Sequence, residues 1–212
     1  MVEIAGSRQE RKQRTRQALL DGALRLLADR SLSSLSLREV TREVGIVPTA
    51  FYRHFASMAD LGVALVEESM RTLRRMIRQA RSTVTTNAIK GSVATLVQQV
   101  HSHDSHFRFI VRERYGGVAE VRRAIATELR LFASELATDL GRLRGMTDWT
   151  TEDLRIAADL MVGAMFSIVL SLLESDTRSA EAGKETVHIA ECQLRLIALG
   201  MGQWRSKPSA QL

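Results

Sequence analysis

Little in this sequence staples or interrupts it. One cysteine, Cys192, and two prolines occur in 212 residues. A lone cysteine excludes an internal disulfide framework and fits a reducing cytoplasmic setting. Scarce proline leaves long stretches free of helix breakers. Runs of β-branched residues are also sparse, while Leu, Ala, Arg and Glu dominate, so an all-α fold is expected. The N-terminus is polar and arginine-rich, with no apolar core for a secretory signal. The most apolar stretch, residues 160–173, is short and flanked by charge, so no membrane span is expected. A glycine-rich phosphate loop, an internal repeat and a low-complexity tract are all missing. What is present is ordinary globular composition: 45% apolar and 25% charged residues, enough for one or two domains with a real core. The net charge of +6 suits an anionic partner but does not by itself specify nucleic acid.

Residues 37–55, LREVTREVGIVPTAFYRHF, read as two short helices joined by a tight turn. Leu37, Val40, Thr41 and Val44 share one helical face. Ser33 or Ser36 can cap the first of these helices, and Glu39 three residues after Ser36 completes a capping box. Gly45 predicts a left-handed stop. Pro48 suits the first turn of a second helix, expected over 48–54, with Phe51 and Phe55 inward. That is a helix-turn-helix, whose second helix enters the DNA major groove. Thr41 puts a hydroxyl at a packed position, where it is expected to bond the preceding turn's carbonyl.

Ahead of this unit a helix is expected to about Asp29, with Leu19, Ala23, Leu26 and Leu27 inward and Arg8, Arg11, Lys12, Arg14 and Arg16 crowding its start. Behind it, helices are expected over 60–83, 87–101, 106–114, 118–143, 151–173 and 184–204. The last two are apolar around much of their circumference. One small bundle does not cover both, so they are expected to face a second copy of the chain. A two-fold homodimer would place two recognition helices on a palindromic operator.

The run from Leu37 to Phe55 resembles the DNA-binding signature of TetR-family transcriptional regulators. The resemblance implies about nine helices: a DNA-binding domain with a basic arm over 1–57, and a helical effector-binding and dimerisation domain over 58–212. Beyond it, Asp60-Leu-Gly-Val-Ala-Leu-Val and Phe107-Arg-Phe-Ile-Val-Arg-Glu-Arg-Tyr-Gly-Gly resemble the repressors of unsaturated fatty acid synthesis, the FabR/DesT type. These sense the acyl chains of acyl-CoA or acyl-carrier protein. The resemblance therefore implies a repressor that binds double-stranded DNA and takes long-chain acyl-CoA as its effector, with no cofactor and no membrane partner.

On the DNA side, Arg11, Lys12, Arg14 and Arg38 are candidates for phosphate contact. Thr49 and the backbone near Pro48 can hold a phosphate, Ala50 can touch a thymine methyl, and Arg53 can reach guanine or phosphate. Tyr52 and His54 resemble the family's phosphate-contacting pair. On the effector side, Leu96, Val100, Phe107, Ile110, Val111, Phe132, Met161, Met165, Phe166 and Val169 are candidate lining residues. Methionine and phenylalanine pack adaptably round a flexible chain. Taken singly, each reads more readily as plain core than as lining. Arg112 and Arg114 are expected to pair structurally, with Asp104 or the neighbours of Glu113 as partners; a CoA phosphate and a dimer-proximal turn are the alternatives.

The competing class is an acyl-thioester enzyme. Against it, Cys192 falls in a helix expected to be buried, and no serine or cysteine has an evident histidine partner in sequence. His101, His103, Asp104 and His106 cluster locally, but they straddle an expected helix break, so a solvated turn is favoured over a metal site.

Overall fold

In a computed structural model of the chain, residues 8–81, 88–143, 145–174 and 180–206 are described. The arm ahead of Arg8 and residues 175–179 of the expected polar loop lie outside them. The described residues form nine α-helices and no strand: α1 (Arg8–Leu26), α2 (Leu37–Val44), α3 (Pro48–Phe51), α4 (Met58–Arg81), α5 (Ala88–Ser102), α6 (Asp104–Glu113), α7 (Ala119–Leu140), α8 (Thr151–Glu174) and α9 (Ala180–Gln203). A 3₁₀ turn, Leu32–Ser34, joins α1 to α2. The all-α expectation holds. Boundaries moved by a few residues, and the polar break expected at 102–105 narrows to His103, because Asp104 already occupies the first turn of α6.

The chain divides into two compact units. One is Met1–Arg71 with Ser105–Ile125, and the other is Thr72–Asp104 with Ala126–Leu212. Helix α4 runs through both.

In the first unit, Leu19, Leu20 and Ala23 of α1 are buried with Val40, Phe51, Phe55, Leu61 and Leu65. The approach of α1 to α2 depends on Gly22, where a methyl group would come within 2.8 Å of Val44 Cγ2. Helix α2 begins in the expected capping box. The Glu39 amide donates to Ser36 Oγ at 3.3 Å, and the Ser36 amide donates to Glu39 Oε2 at 2.9 Å. It ends at Gly45, whose φ of 72° is left-handed. The Ile46 amide then returns to Thr41 O at 2.9 Å, closing the helix end. Thr41 is buried, and its hydroxyl donates to Leu37 O at 3.0 Å, as a packed threonine should. Helix α4 has a cap of its own: the Asp60 amide donates to Ser57 Oγ at 3.1 Å, and Asp60 Oδ2 accepts from the Ala56 amide at 2.8 Å.

In the second unit α5, α8 and α9 pack on one another. Arg74 of α4 is held by two carboxylates of α7, Glu128 at 2.7 Å and Glu135 at 3.5 Å. The start of α8 is tied to the chain after α9. The Thr150 amide donates to Ser206 Oγ at 2.8 Å, and Ser206 Oγ donates to Asp153. The bond from Ser206, and after it one from the Thr150 hydroxyl at 2.9 Å, hold the Asp153 carboxyl below its usual range. One third of the most apolar 18-residue window of α8 is buried within the chain. Ile156 and Leu160 of α8, and Ile189, Leu196 and Leu199 of α9, are exposed. By length and composition alone α8 could cross a membrane; its buried stripe of Ala158, Val162, Val169 and Leu172 instead belongs to this bundle.

The hydrogen bonds from Ser36 and Arg30 hold the Glu39 carboxyl down to about 2. Its folded pKa lies below the unfolded value near 4.5, so its contribution is full above pH 4.5 and is lost as pH falls toward 2. Ser36→Ala should lower stability by about 1 kcal/mol in neutral denaturant titration. The Glu39→Gln penalty should shrink when the same titration is run near the bottom of that window.

Candidate nucleic-acid interface

Helix α3 is a single turn. Its regular part stops at Phe51 rather than His54, because the Arg53 and His54 amides close on Ala50 O and Phe51 O, three residues back, at 3.2 and 2.9 Å. Pro48 sits in its first turn, with Val47 exposed before it. Phe51 and Phe55 are fully buried and their rings lie 5.7 Å apart. This pair turns the rest of the segment outward: Pro48, Thr49, Tyr52 and Arg53 are exposed, and Tyr52 packs edge-on against Phe51 at 5.7 Å. Ala50 is half-buried, less free than the spacing suggested.

The basic start of α1 reaches this ridge. The Arg16 guanidinium lies over the Phe55 ring at 4.7 Å, a cation–π contact. His54 is half-buried, and among the described residues its Nδ1 has no hydrogen-bond partner. Burial first, then the charges of Lys12, Arg16 and Arg53, lower its pKa from 6.5. The electrostatics therefore describe a cationic patch with a neutral, unsatisfied imidazole inside it, an arrangement that an anion would complete. Arg11, Lys12, Arg14 and Arg38 are all exposed. The place of Arg16 three residues before inward Leu19 is the signal for its packing role.

Residues 19–65 match the family model of bacterial regulatory proteins, tetR family, and residues 85–199 match the tetracyclin repressor-like C-terminal domain. The chain belongs to the TetR family. It is similar in fold to the fatty acid degradation regulator FadR of Bacillus halodurans, at 17% identity over 91% of this chain and 97% of that one, with a TM-score of 0.67. FadR of Bacillus subtilis, solved in complex with stearoyl-CoA, gives 15% identity over 87% and 98%, with a TM-score of 0.66. The multidrug binding protein EbrR, solved with imidazole, gives 17% over 84% and 93%, with a TM-score of 0.58. As a TetR-type protein the chain is a ligand-responsive, DNA-binding transcriptional regulator, and the family's members are not enzymes.

The candidate effector residues divide between the units. Leu96 and Val100 of α5, Phe132 of α7, and Met161, Met165, Phe166 and Val169 of α8 belong to the second, while Phe107, Ile110 and Val111 of α6 belong to the first. Val100, Phe107, Ile110, Phe132 and Val169 are buried, and the other five are half-buried. Arg112 pairs structurally, as expected, and its partners are backbone carbonyls. Its Nη1 donates to the carbonyls of Leu27 and Arg30 at 2.8 and 2.9 Å, partners more than eighty positions away that spacing cannot reveal.

Two serine or cysteine partnerships also went unseen. Ser69 Oγ lies 2.9 Å from His106 Nδ1, and Cys192 Sγ lies 3.7 Å from His188 Nε2. Ser69 is fully buried, so no substrate reaches it. Cys192 is exposed, not buried as expected, because α9 turns that face away from α5 and α8. Mid-helix amides around it are spent within α9 and offer no oxyanion donors. Among the described residues no three metal-ligating side chains converge; the His101 ring instead donates to Val97 O at 2.7 Å.

Because the folded pKa of His54 lies below its unfolded value, the unfolded chain binds the proton more readily. Stability should therefore fall as pH drops below 6.5, and His54→Gln should flatten that slope. Unfolding titrations of both proteins between pH 5 and 7.5 measure it; parallel slopes would remove His54 from the account.

Proposed function

We propose that this chain is a homodimeric repressor of fatty acid desaturation or biosynthesis genes that responds to long-chain acyl-CoA. The observation that carries the DNA half is the outward ridge of Thr49, Tyr52 and Arg53, backed by buried Phe51 and Phe55 and flanked by Lys12 and Arg16. In this reading Arg11, Lys12, Arg14, Arg38, Tyr52 and His54 engage backbone phosphates. Thr49 takes a phosphate beside Pro48, Ala50 offers its methyl to thymine, and Arg53 reads a base edge. The DNA-reading domain is residues 1–57, since every one of these side chains lies ahead of residue 58. Residues 58–212 hold the effector and the second copy of the chain. The chain works in the cytoplasm, where its DNA is.

The effector reading rests on three supports. The block from Phe107 to Gly117 resembles the repressors of unsaturated fatty acid synthesis. A protein of similar fold was solved with stearoyl-CoA. Leu96, Val100, Phe132, Met161, Met165, Phe166 and Val169 supply adaptable apolar surface on α5, α7 and α8 of one unit. The three α6 candidates, Phe107, Ile110 and Val111, belong to the other unit and carry no part of this argument. The dimer reading rests on the exposed apolar faces of α8 and α9. A second reading, a regulator of efflux or catabolic genes sensing another apolar molecule, is favoured by the likeness to EbrR.

Gel shifts on a duplex that the protein itself selects from a random library test these statements. Saturated and unsaturated acyl-CoA should change the shift in opposite directions; indifference to both removes the lipid reading and leaves the second. Arg53→Ala should lose about 1–3 kcal/mol of discrimination at one base position. Tyr52→Ala should weaken every duplex alike. Unaltered sequence preference in Arg53→Ala would make that residue a phosphate contact.

A further inference from the structure

The block Arg112-Glu-Arg-Tyr-Gly-Gly117 is not absorbed by DNA contact, and each of its parts has a structural use. Arg112 Nη1 donates to Leu27 O and Arg30 O, carbonyls just past the end of α1. Such carbonyls lack partners inside the helix and favour a cation. The next residue takes the opposite polarity. Glu113 Oε1 accepts from the Leu32 amide at 2.8 Å, at the start of the 3₁₀ turn. Glu113 is 1% exposed, and its other oxygen has no hydrogen-bond partner among the described residues. A buried carboxylate is retained only where its bonds compensate desolvation, so this one depends on the Leu32 amide.

The surroundings fit the grip. A methyl group on Gly116 would overlap Glu113 Oε2, and one on Gly117 would come within 3.0 Å of Ser33 Cβ. Arg122 donates to Gly116 O at 2.6 Å and fixes the corner. The Arg114 guanidinium lies 5.5 Å from the Tyr115 ring centre. Leu32 is buried against Gly62 of α4, where any side chain would overlap Leu32 Cδ2. All of these residues belong to one compact unit.

The gripped backbone leads directly to the DNA-reading helices. Arg30 gives its carbonyl to Arg112 and its guanidinium to Glu39 at 2.9 Å. Glu39 is the second half of the capping box that starts α2. We propose that Arg112 and Glu113 are positioning residues that couple α6 to the helix-turn-helix through the backbone of residues 27–32. A shift of α6 by about an ångström would break bonds of this length, and its effect would pass through Arg30 and Glu39 to α2. The inference rests on the chain being a ligand-responsive regulator and not on which ligand it takes.

Coupling is reciprocal, so DNA can report it without any effector. Amide hydrogen exchange is followed over residues 104–121, with and without a duplex selected from a random library. In the unsubstituted protein, DNA should change exchange in this segment. In Glu113→Ala and in Arg112→Met that response should drop at least about fivefold, while DNA affinity stays within about threefold. Glu113→Gln keeps an acceptor for the Leu32 amide and should keep the response. If Glu113→Ala does not fold, Arg112→Met alone decides the matter. An unchanged response in the variants, or none in the unsubstituted protein, overturns the proposal. So does a loss of DNA affinity in proportion to the loss of response, which would make these residues merely structural. An acyl-CoA that fails to alter DNA binding would remove the lipid reading and leave this result standing.

Discussion

A helix of one turn cannot hold itself. The cost of fixing its first turn exceeds what its own hydrogen bonds return. Helix α3 is therefore held by side chains rather than backbone, through Phe51 and Phe55. Burying each ring contributes roughly 1.5–3 kcal/mol. The arrangement of the candidate DNA-reading surface follows from that anchor. With Phe51 and Phe55 inward, Thr49, Tyr52 and Arg53 have only the outside to occupy. The same Phe55 ring gives the Arg16 guanidinium a face to lie on, which brings the basic start of α1 to the ridge. Packing and charge are thus set by one pair of aromatic residues.

What local spacing governs was legible. The Ser36–Glu39 box, the left-handed Gly45 and the Thr41 hydroxyl all involve partners within four residues, and all occur as read. The inward pair Phe51 and Phe55 followed from helical periodicity. The end of α3 did not, because the Arg53 and His54 amides close on carbonyls three back rather than four. The start of α4 carries the same kind of cap as α2, with Asp60 in place of Glu39. Asp60 was read only as the start of the long helix, two residues after the helix begins.

Long-range polar contacts were illegible in kind. An arginine beside an apolar stripe says that a partner exists, not that two backbone carbonyls supply it. Glu113 was passed over, since an acid between two arginines reads as a solvated charge run; its burial follows only from the fold. Exposure of Cys192 was misjudged for a related reason. An apolar helix looks buried from composition, while the face it turns outward depends on its neighbours.

The outward face of an apolar helix also bears on the proposed homodimer. Helix α8 is apolar over most of its length, yet only a third of its richest window is covered within the chain. Ile156 and Leu160 lie one turn apart on it, and Leu196 and Leu199 nearly one turn apart on α9, all exposed. Monomeric proteins tolerate scattered apolar residues but rarely contiguous stripes on helices that pack together. A bilayer would ask α8 to be apolar all round. This helix instead commits Ala158, Val162 and Val169 to its own bundle, and in the proposed homodimer the remaining stripe faces a second copy. That pairing needs no new chemistry, since a two-fold axis sets each stripe against its own equivalent. The same axis would pair two α3 ridges, and a one-turn helix that reads a few bases gains specificity chiefly by being used twice.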